Sequence, residues 1–114
     1  MPYLLIQTNR TVAETERDAL LKAASRTVAE ALGKPERYVM VALQDTTPML
    51  FAGEDSPLAY LELKSIGLPE SRTAELSQIL CDFIASRLDV PTDRVYIEFA
   101  DAPRAFWGWN GGTF

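Results

Sequence analysis

The fold is decided by residues 31–45, ALGKPERYVMVALQD, because residues 87–101, RLDVPTDRVYIEFAD, repeat their pattern 56 positions later. In both stretches an apolar helical segment meets a proline that prevents its continuation, and an apolar strand-like run follows. The same shift aligns other positions along the chain: Leu5 with Leu61, Leu20 with Leu76, Val28 with Ile84, Leu32 with Leu88, Pro35 with Pro91, Val39 with Val95, Val41 with Ile97, Leu43 with Phe99 and Asp45 with Asp101. The chain therefore contains one structural unit twice.

Each unit is predicted to be a strand, an amphipathic helix and a second strand. The four predicted strands are Tyr3–Gln7, Val39–Gln44, Ala59–Ser65 and Val95–Phe99. Apolar or small residues recur at helical spacing between them: Leu20, Ala23, Ala24, Thr27, Val28 and Leu32 in the first unit, and Leu76, Ile79, Leu80, Phe83, Ile84 and Leu88 in the second. A crossover of this length requires a parallel, right-handed connection, so each unit is a βαβ motif. Residues 1–114 are thus expected to form one α/β (α+β) domain, a four-stranded sheet with two helices on one face.

Local signals predict both ends of the first helix. Thr11 with Glu14 has the spacing of a capping box at its start. Gly33 follows the last apolar position and tolerates the left-handed conformation of a helix end, and Pro35 prevents continuation.

Alternation along the strands predicts which side chains face the helices. The predicted helix-facing set is Leu5, Val39, Val41, Leu43, Leu61, Leu63, Val95, Ile97 and Phe99. The opposite face is then predicted to carry Pro2, Leu4, Ile6, Met40, Tyr60 and Tyr96, mixed with Glu62, Lys64 and Glu98. Such a face is too apolar for water and too charged for an ordinary core, so we expect further copies of the chain to cover it in a closed homo-oligomer. Pro2, Tyr96 and Glu98 are expected to share this face, near a subunit boundary.

Composition narrows the function classes. A net charge of -5 argues against nucleic acid as a partner, because phosphate binding needs a basic surface. The absence of histidine excludes Ser-His-Asp and Cys-His nucleophiles, and the single Cys81 cannot form an internal disulfide or a multi-cysteine zinc site. Cys81 falls on the apolar stripe of the second helix and is expected to be inert. No apolar run approaches a membrane span and no secretory signal is visible, so a cytoplasmic location is expected; a non-classical secretion route stays open.

The beginning of the chain carries a candidate base. Loss of Met1 would leave Pro2 with a free secondary amine, and an unperturbed α-amino group has a pKa of about 7.7–8.0. Burial lowers this pKa toward the range where a general base is most effective. Met-Pro beginnings are nevertheless common, so this feature alone decides little.

Seven short motifs occur in one order along the chain: Met1-Pro2 before an apolar strand, Gln7-Thr8-Asn9, Gly33-Lys34-Pro35, Ser65-Ile66-Gly67, Asp93-Arg94-Val95-Tyr96-Ile97, Gly108-Trp109-Asn110 and Thr113-Phe114. Together they resemble the macrophage migration inhibitory factor family of the tautomerase superfamily. The resemblance implies a homotrimer with an inner barrel of three sheets, and a keto–enol tautomerase acting without cofactor or metal on phenylpyruvate-like and dopachrome-like compounds. The implied substrate is an aromatic 2-keto acid or its enol.

The resemblance also implies roles for particular residues. Pro2 matches the catalytic base, Lys34 the cation for a substrate carboxylate, Ile66 a backbone N–H donor, and Tyr96 a phenol from the neighbouring subunit. Tyr38, Trp109 and Phe114 match the aromatic lining of the pocket mouth. Structural alternatives stay open for three of these features: Lys34 as a charge that complements the end of the first helix, Tyr96 as a packed face residue, and the tail as an anchor to another subunit.

Glu98 stands where vertebrate members of that family have asparagine, which affects the expected substrate preference and rate. Leu58 and Leu61 replace the vertebrate Cys-x-x-Cys, so no thiol–disulfide activity is expected. Asp93-Arg94 is interpreted as a structural loop salt bridge or a cap at the start of a strand.

Two other functions stay open. One is a cytokine-like signalling protein without turnover; the other is a dehalogenase or hydratase in which Glu98 positions water.

Overall fold

The computed structural model describes residues 1–114 and shows two βαβ units in one sheet. Its elements are β1 (Tyr3–Thr8), α1 (Glu14–Leu32), β2 (Met40–Gln44), β3 (Ala59–Ile66), α2 (Thr73–Leu88), β4 (Val95–Ala102), β5 (Gly108–Trp109) and β6 (Gly112–Thr113). The sheet order is β2-β1-β3-β4, with β1 parallel to β2, β3 parallel to β4, and β1 antiparallel to β3. The predicted fold class is confirmed. The short strands β5 and β6 form a separate hairpin in the tail.

The core lies between the two helices and one face of the sheet. Leu20 and Val28 on α1, and Leu76 and Ile84 on α2, are buried at the helical spacing that the sequence shows. Cys81 of α2 is half-buried and packs at the edge of this cluster. Neither helix combines the length and apolar character that crossing a membrane requires.

The predicted facing of β1 is wrong by one residue. Leu4 and Ile6 are buried in the core, whereas Leu5 lies on the opposite face and is only half-buried. The pairing shows the cause: Leu4 lies beside Val41 of β2 and Leu63 of β3, both of which face the helices. Residues 3–6 are a continuous apolar run, so their sequence does not show which side chains face the helices. Only the register of β1 with its neighbouring strands decides this.

The predicted capping box at α1 is also wrong. The residue that precedes the helix is Ala13, which makes no side-chain cap, and Thr11 Oγ1 instead lies 3.1 Å from Thr46 Oγ1. The segment before the helix is held by Asp45, whose Oδ2 accepts a hydrogen bond from the Val12 N–H at 2.8 Å. A hydrogen bond from the segment before α1 to Asp45, just after β2, therefore takes the place of the local cap.

The end of α1 follows the prediction. Gly33 adopts a left-handed conformation with φ +63°, and its N–H bonds back to the last turn. The equivalent residue of the second unit, 56 positions later, is Asp89, which adopts φ +55° despite its side chain. The two units thus end their helices in the same conformation.

Candidate active site

The site begins at the buried amino-terminal end of β1. Pro2 is almost completely inaccessible to solvent, and its carbonyl accepts a hydrogen bond from the Met40 N–H at 3.0 Å. The pKa of the Met1 amino group beside it is lowered, first by burial and second by the positive charge of Lys34. The surroundings of the amino terminus therefore favour a neutral amine.

Lys34 and Ile66 lie at the same edge of the sheet as Pro2. Lys34 follows the left-handed end of α1, and its Nζ lies 3.4 Å from the Ile66 carbonyl oxygen, a long hydrogen bond. Tyr3 pairs with Lys64 on the antiparallel strand β3, so Ile66 at the end of β3 lies just beyond the start of β1. The structure therefore brings together three of the residues that the resemblance singles out.

Asp101 holds the turn after Ile66, a function that the sequence analysis missed. Its Oδ1 accepts hydrogen bonds from the Gly67 N–H at 2.9 Å and the Leu68 N–H at 3.1 Å. The repeat contained the signal: Asp45 aligns with Asp101, and Val12 aligns with Leu68. The Asp45 carboxylate makes the equivalent bond to Val12, which is the largest cause of its lowered pKa.

An aromatic wall forms beside this edge. Tyr38 makes edge-to-face contacts with Trp109 and Phe114, each with ring centroids 5.7 Å apart, and Trp109 and Phe114 stack at 5.2 Å. The tail is tied back by the Phe114 N–H, which donates to the Trp107 carbonyl at 3.1 Å. Tyr38 is two residues from Met40, the hydrogen-bond partner of Pro2, so the wall stands next to the amino terminus.

Tyr96 and Glu98 lie elsewhere, and the prediction that they share a face with Pro2 is wrong. Tyr96 pairs with Tyr60, which pairs with Gln7, and Gln7 is five residues along β1 from Pro2. At about 3.3 Å per strand residue, this separation is about 16 Å. Pro2 is also buried on the helix side, whereas Tyr96 is 66% exposed on the other face. Pro2 and Tyr96 of one chain cannot act on the same small substrate.

On that other face, the Tyr60 hydroxyl lies between the carboxylates of Glu98 and Glu62. Tyr60 Oη lies 3.1 Å from Glu98 Oε2 and 3.1 Å from Glu62 Oε1. Burial and these two acceptors raise the pKa of Tyr60 to about 12, so its hydroxyl keeps its proton. Lys64 Nζ lies 3.4 Å from Glu62 Oε2. The Glu98 carboxylate therefore has a hydrogen-bond partner within its own chain.

No group of three or more Asp, Glu, His or Cys side chains is arranged to bind a metal ion. A cavity of about 810 Å³ is lined by Asn9, Asp55 and residues 46–50, which follow β1 and β2 at the end of the sheet remote from Pro2. The residues that line this cavity include neither Pro2, Lys34 and Ile66 nor the aromatic wall, so the cavity is separate from the site.

Comparison with known proteins gives a uniform result. The family model for macrophage migration inhibitory factor matches residues 1–114. The macrophage migration inhibitory factor homolog of Brugia malayi is 40% identical, and the Mus musculus protein is 35% identical, each over 100% of this chain and 99% of the relative. The crystal structure of the homologue from Prochlorococcus marinus has a TM-score of 0.92 at 46% identity, covering 98% of both chains. The Toxoplasma gondii protein gives 0.90 at 34% identity, covering 98% of this chain and 99% of that one.

Proposed function

This chain belongs to the macrophage migration inhibitory factor family of the tautomerase superfamily, and we propose that it is a cofactor-independent keto–enol tautomerase with Pro2 as its base. The proposed substrate is an aromatic 2-keto acid, phenylpyruvate-like, or its enol. The observation that carries the proposal is the buried position of Pro2 at the sheet edge where Lys34 Nζ meets the Ile66 carbonyl oxygen. Burial and Lys34 also lower the pKa of the Met1 amino group, so these surroundings favour the neutral form of an amine. A general base is most effective when its pKa lies near the working pH.

The proposed reaction moves one proton between oxygen and carbon. Removal of Met1 frees the Pro2 nitrogen, whose lone pair is otherwise tied up in the peptide bond. In the enol-to-ketone direction, the enol hydroxyl loses its proton as the C=O bond forms. The electrons of the C=C bond take a proton at carbon from the protonated proline. The neutral Pro2 amine becomes protonated by taking up the proton that the hydroxyl loses, and it is neutral again once it has delivered a proton to carbon, so no cofactor is consumed.

The neighbouring groups supply binding and charge stabilisation in this proposal. Lys34 binds the substrate carboxylate, the Ile66 N–H contacts the substrate, and the wall of Tyr38, Trp109 and Phe114 stacks on its ring. Preorganised donors of this kind stabilise negative charge that builds on oxygen during the reaction. The position of Lys34 against the Ile66 carbonyl supports the first two roles.

We further propose that the site is shared between copies in a homotrimer whose sheets form an inner barrel. The separation of Pro2 from Tyr96 within one chain, about 16 Å along the strands, supports this arrangement. A neighbouring copy would supply the Tyr96 phenol and the Glu98 carboxylate. It would also cover the half-apolar face that Leu5, Met40 and Tyr96 leave open.

The test compares the wild-type protein with Pro2→Gly, using ultraviolet absorbance to follow the enol of phenylpyruvate. Mass spectrometry of each preparation first establishes that Met1 is absent. Turnover by the wild type and at least a 100-fold loss in Pro2→Gly, with the same oligomeric mass, would support the proposal, since a positioned base supplies about 10²–10⁴-fold. Full turnover in Pro2→Gly would refute the assignment of the base. An active preparation that retains Met1 throughout would refute it equally.

A further inference from the structure

We propose that Arg94 is a positioning residue for the tautomerase site: it holds the loop of residues 51–57 so that Phe51 packs against Tyr96 and fixes the direction of its phenol. The inference rests on the proposed function, in which Tyr96 reaches the site of a neighbouring copy. Of the two structural interpretations of Asp93-Arg94, a loop salt bridge or a cap at the start of a strand, the salt bridge is absent, because Arg94 has no carboxylate partner within bridging distance.

The Arg94 guanidinium is committed to backbone carbonyls of a single loop. Nε donates to Pro57 at 3.0 Å, Nη1 to Phe51 at 3.4 Å, and Nη2 to Ser56 at 3.0 Å and Glu54 at 3.2 Å. Only arginine presents a planar fork of donors that can meet several acceptors at once. Lysine would bring one compact ammonium to the same place, which cannot meet all four of these carbonyls at once.

These bonds fix a tight turn in the loop, whose following residue Asp55 is held separately by Asn9 Nδ2, at 2.8 Å from the Asp55 carbonyl oxygen. Phe51 and Glu54 exchange two backbone hydrogen bonds, at 3.0 Å and 3.1 Å, around Ala52 and Gly53, which both have positive φ. The Arg94 Cζ lies 5.3 Å from the centroid of the Phe51 ring, over its face. Arg94 therefore holds both the backbone and the ring of Phe51.

Phe51 in turn contacts Tyr96, two residues along the chain from Arg94. The ring centroids are 4.6 Å apart and the rings are inclined by 47°. Because Tyr96 is 66% exposed, few other atoms of its own chain restrain it. A phenol that must reach into the site of another copy has to point there before the copies meet, and misplacement by about 1 Å can cost about 10²-fold in rate.

The experiment uses the full chain with Met1 removed, in four forms: wild type, Arg94→Lys, Phe51→Leu and Phe51→Tyr. Phe51→Leu keeps an apolar side chain and leaves Arg94 intact, so it tests the contact even if Arg94→Lys folds poorly. Phe51→Tyr keeps the ring. The matched control is Arg17→Lys, since Arg17 also donates to a backbone carbonyl, that of Val12, but lies in the first turn of α1 and away from Tyr96. Readouts are kcat and KM for the phenylpyruvate enol, and the ring signals of ¹³C-labelled tyrosine, with Tyr96 assigned by Tyr96→Phe.

We expect Arg94→Lys and Phe51→Leu to lower kcat/KM by about 10-fold through geometry alone, with an unchanged pH profile because Pro2 is untouched. Their Tyr96 ring signals should shift, whereas Phe51→Tyr and Arg17→Lys should stay close to the wild type in turnover. Unchanged Tyr96 signals in both variants would overturn the inference, as would an equal loss of turnover in Arg17→Lys. If the wild type shows no turnover, the proposed function fails. The Tyr96 signals then still decide whether Arg94 and Phe51 hold that ring.

Discussion

Replacement of Asp101 by alanine should separate catalysis from stability, because Asp45 provides a matched position in the other unit. Asp101 accepts two backbone N–H groups from the turn after Ile66, and Asp45 accepts the equivalent N–H of Val12. Only the Asp101 turn borders the edge where Lys34 meets the Ile66 carbonyl. Asp101→Ala should therefore disturb the site, and Asp45→Ala should not.

The expected stability losses follow from the contacts. A buried hydrogen bond to a charged acceptor contributes about 1.5–3 kcal/mol. Asp101 is exposed, so water can replace part of its two hydrogen bonds. Asp101→Ala should therefore lower the free energy of unfolding by about 1–3 kcal/mol in all. The Asp45 side chain is only 14% exposed, and it also pairs with Arg17 at 3.2 Å. Asp45→Ala should therefore cost about 2–4 kcal/mol, at least as much as Asp101→Ala.

Urea unfolding at a fixed protomer concentration measures stability, and the phenylpyruvate enol assay measures turnover. Asp101→Ala should lower kcat/KM by about 10–100-fold, since small displacements of positioned groups are costly. Asp45→Ala should stay within about 2-fold of the wild type at a temperature where it is folded, because the site geometry is unchanged. Equal losses of turnover in the two variants would refute this reasoning, and so would full activity in Asp101→Ala.

Other predictions concern pH and backbone conformation. The native pKa of Asp45 is lowered, so its contribution to stability is present above the unfolded pKa of about 3.9 and is lost as pH falls through the native pKa. Asp45→Asn should therefore make the urea midpoint depend less on pH between pH 5 and pH 2. Lys34→Met removes a positive charge that lowers the pKa of the Met1 amino group and should act likewise on the Pro2 amine, so the acid limb of kcat/KM should move to higher pH while KM for the keto acid rises. Gly33→Ala meets no atom within 4 Å, and urea unfolding should show a loss of about 1–2 kcal/mol from the positive φ alone; Asp89→Gly should relieve a similar conformation and raise stability by up to about 1 kcal/mol.

The architecture was predictable because the sequence repeats the pattern of one βαβ unit after 56 residues. Pro35 and Pro91 stop the helices at equivalent points, and the apolar alternation of residues 39–43 and 95–99 predicts the second strand of each unit with the correct helix-facing side. Gly33 marked the end of α1 correctly. These signals depend on residues close together in sequence, so the elements they predict can be identified without knowledge of tertiary contacts.

The errors all involve partners distant in sequence. Leu4 and Ile6 face the core because of their register with β2 and β3, and the uninterrupted apolar run of β1 carries no register of its own. The cap expected from Thr11 is absent because Asp45, more than thirty residues away, already holds Val12. The placement of Tyr96 far from Pro2 likewise depends on the pairing of three strands, which composition and spacing do not specify.

The central claim is that an uncharged Pro2 nitrogen works in a site completed by Tyr96 of another copy, and mixing two defective chains tests it most directly. Pro2→Gly and Tyr96→Phe proteins, each impaired alone, are unfolded together and refolded as mixed oligomers. Random assembly in a closed oligomer places an intact Pro2 beside an intact Tyr96 in about a quarter of the sites. Turnover of the mixture should therefore exceed the mean of the two separate samples. Turnover equal to that mean in verified mixed oligomers would contradict the shared site.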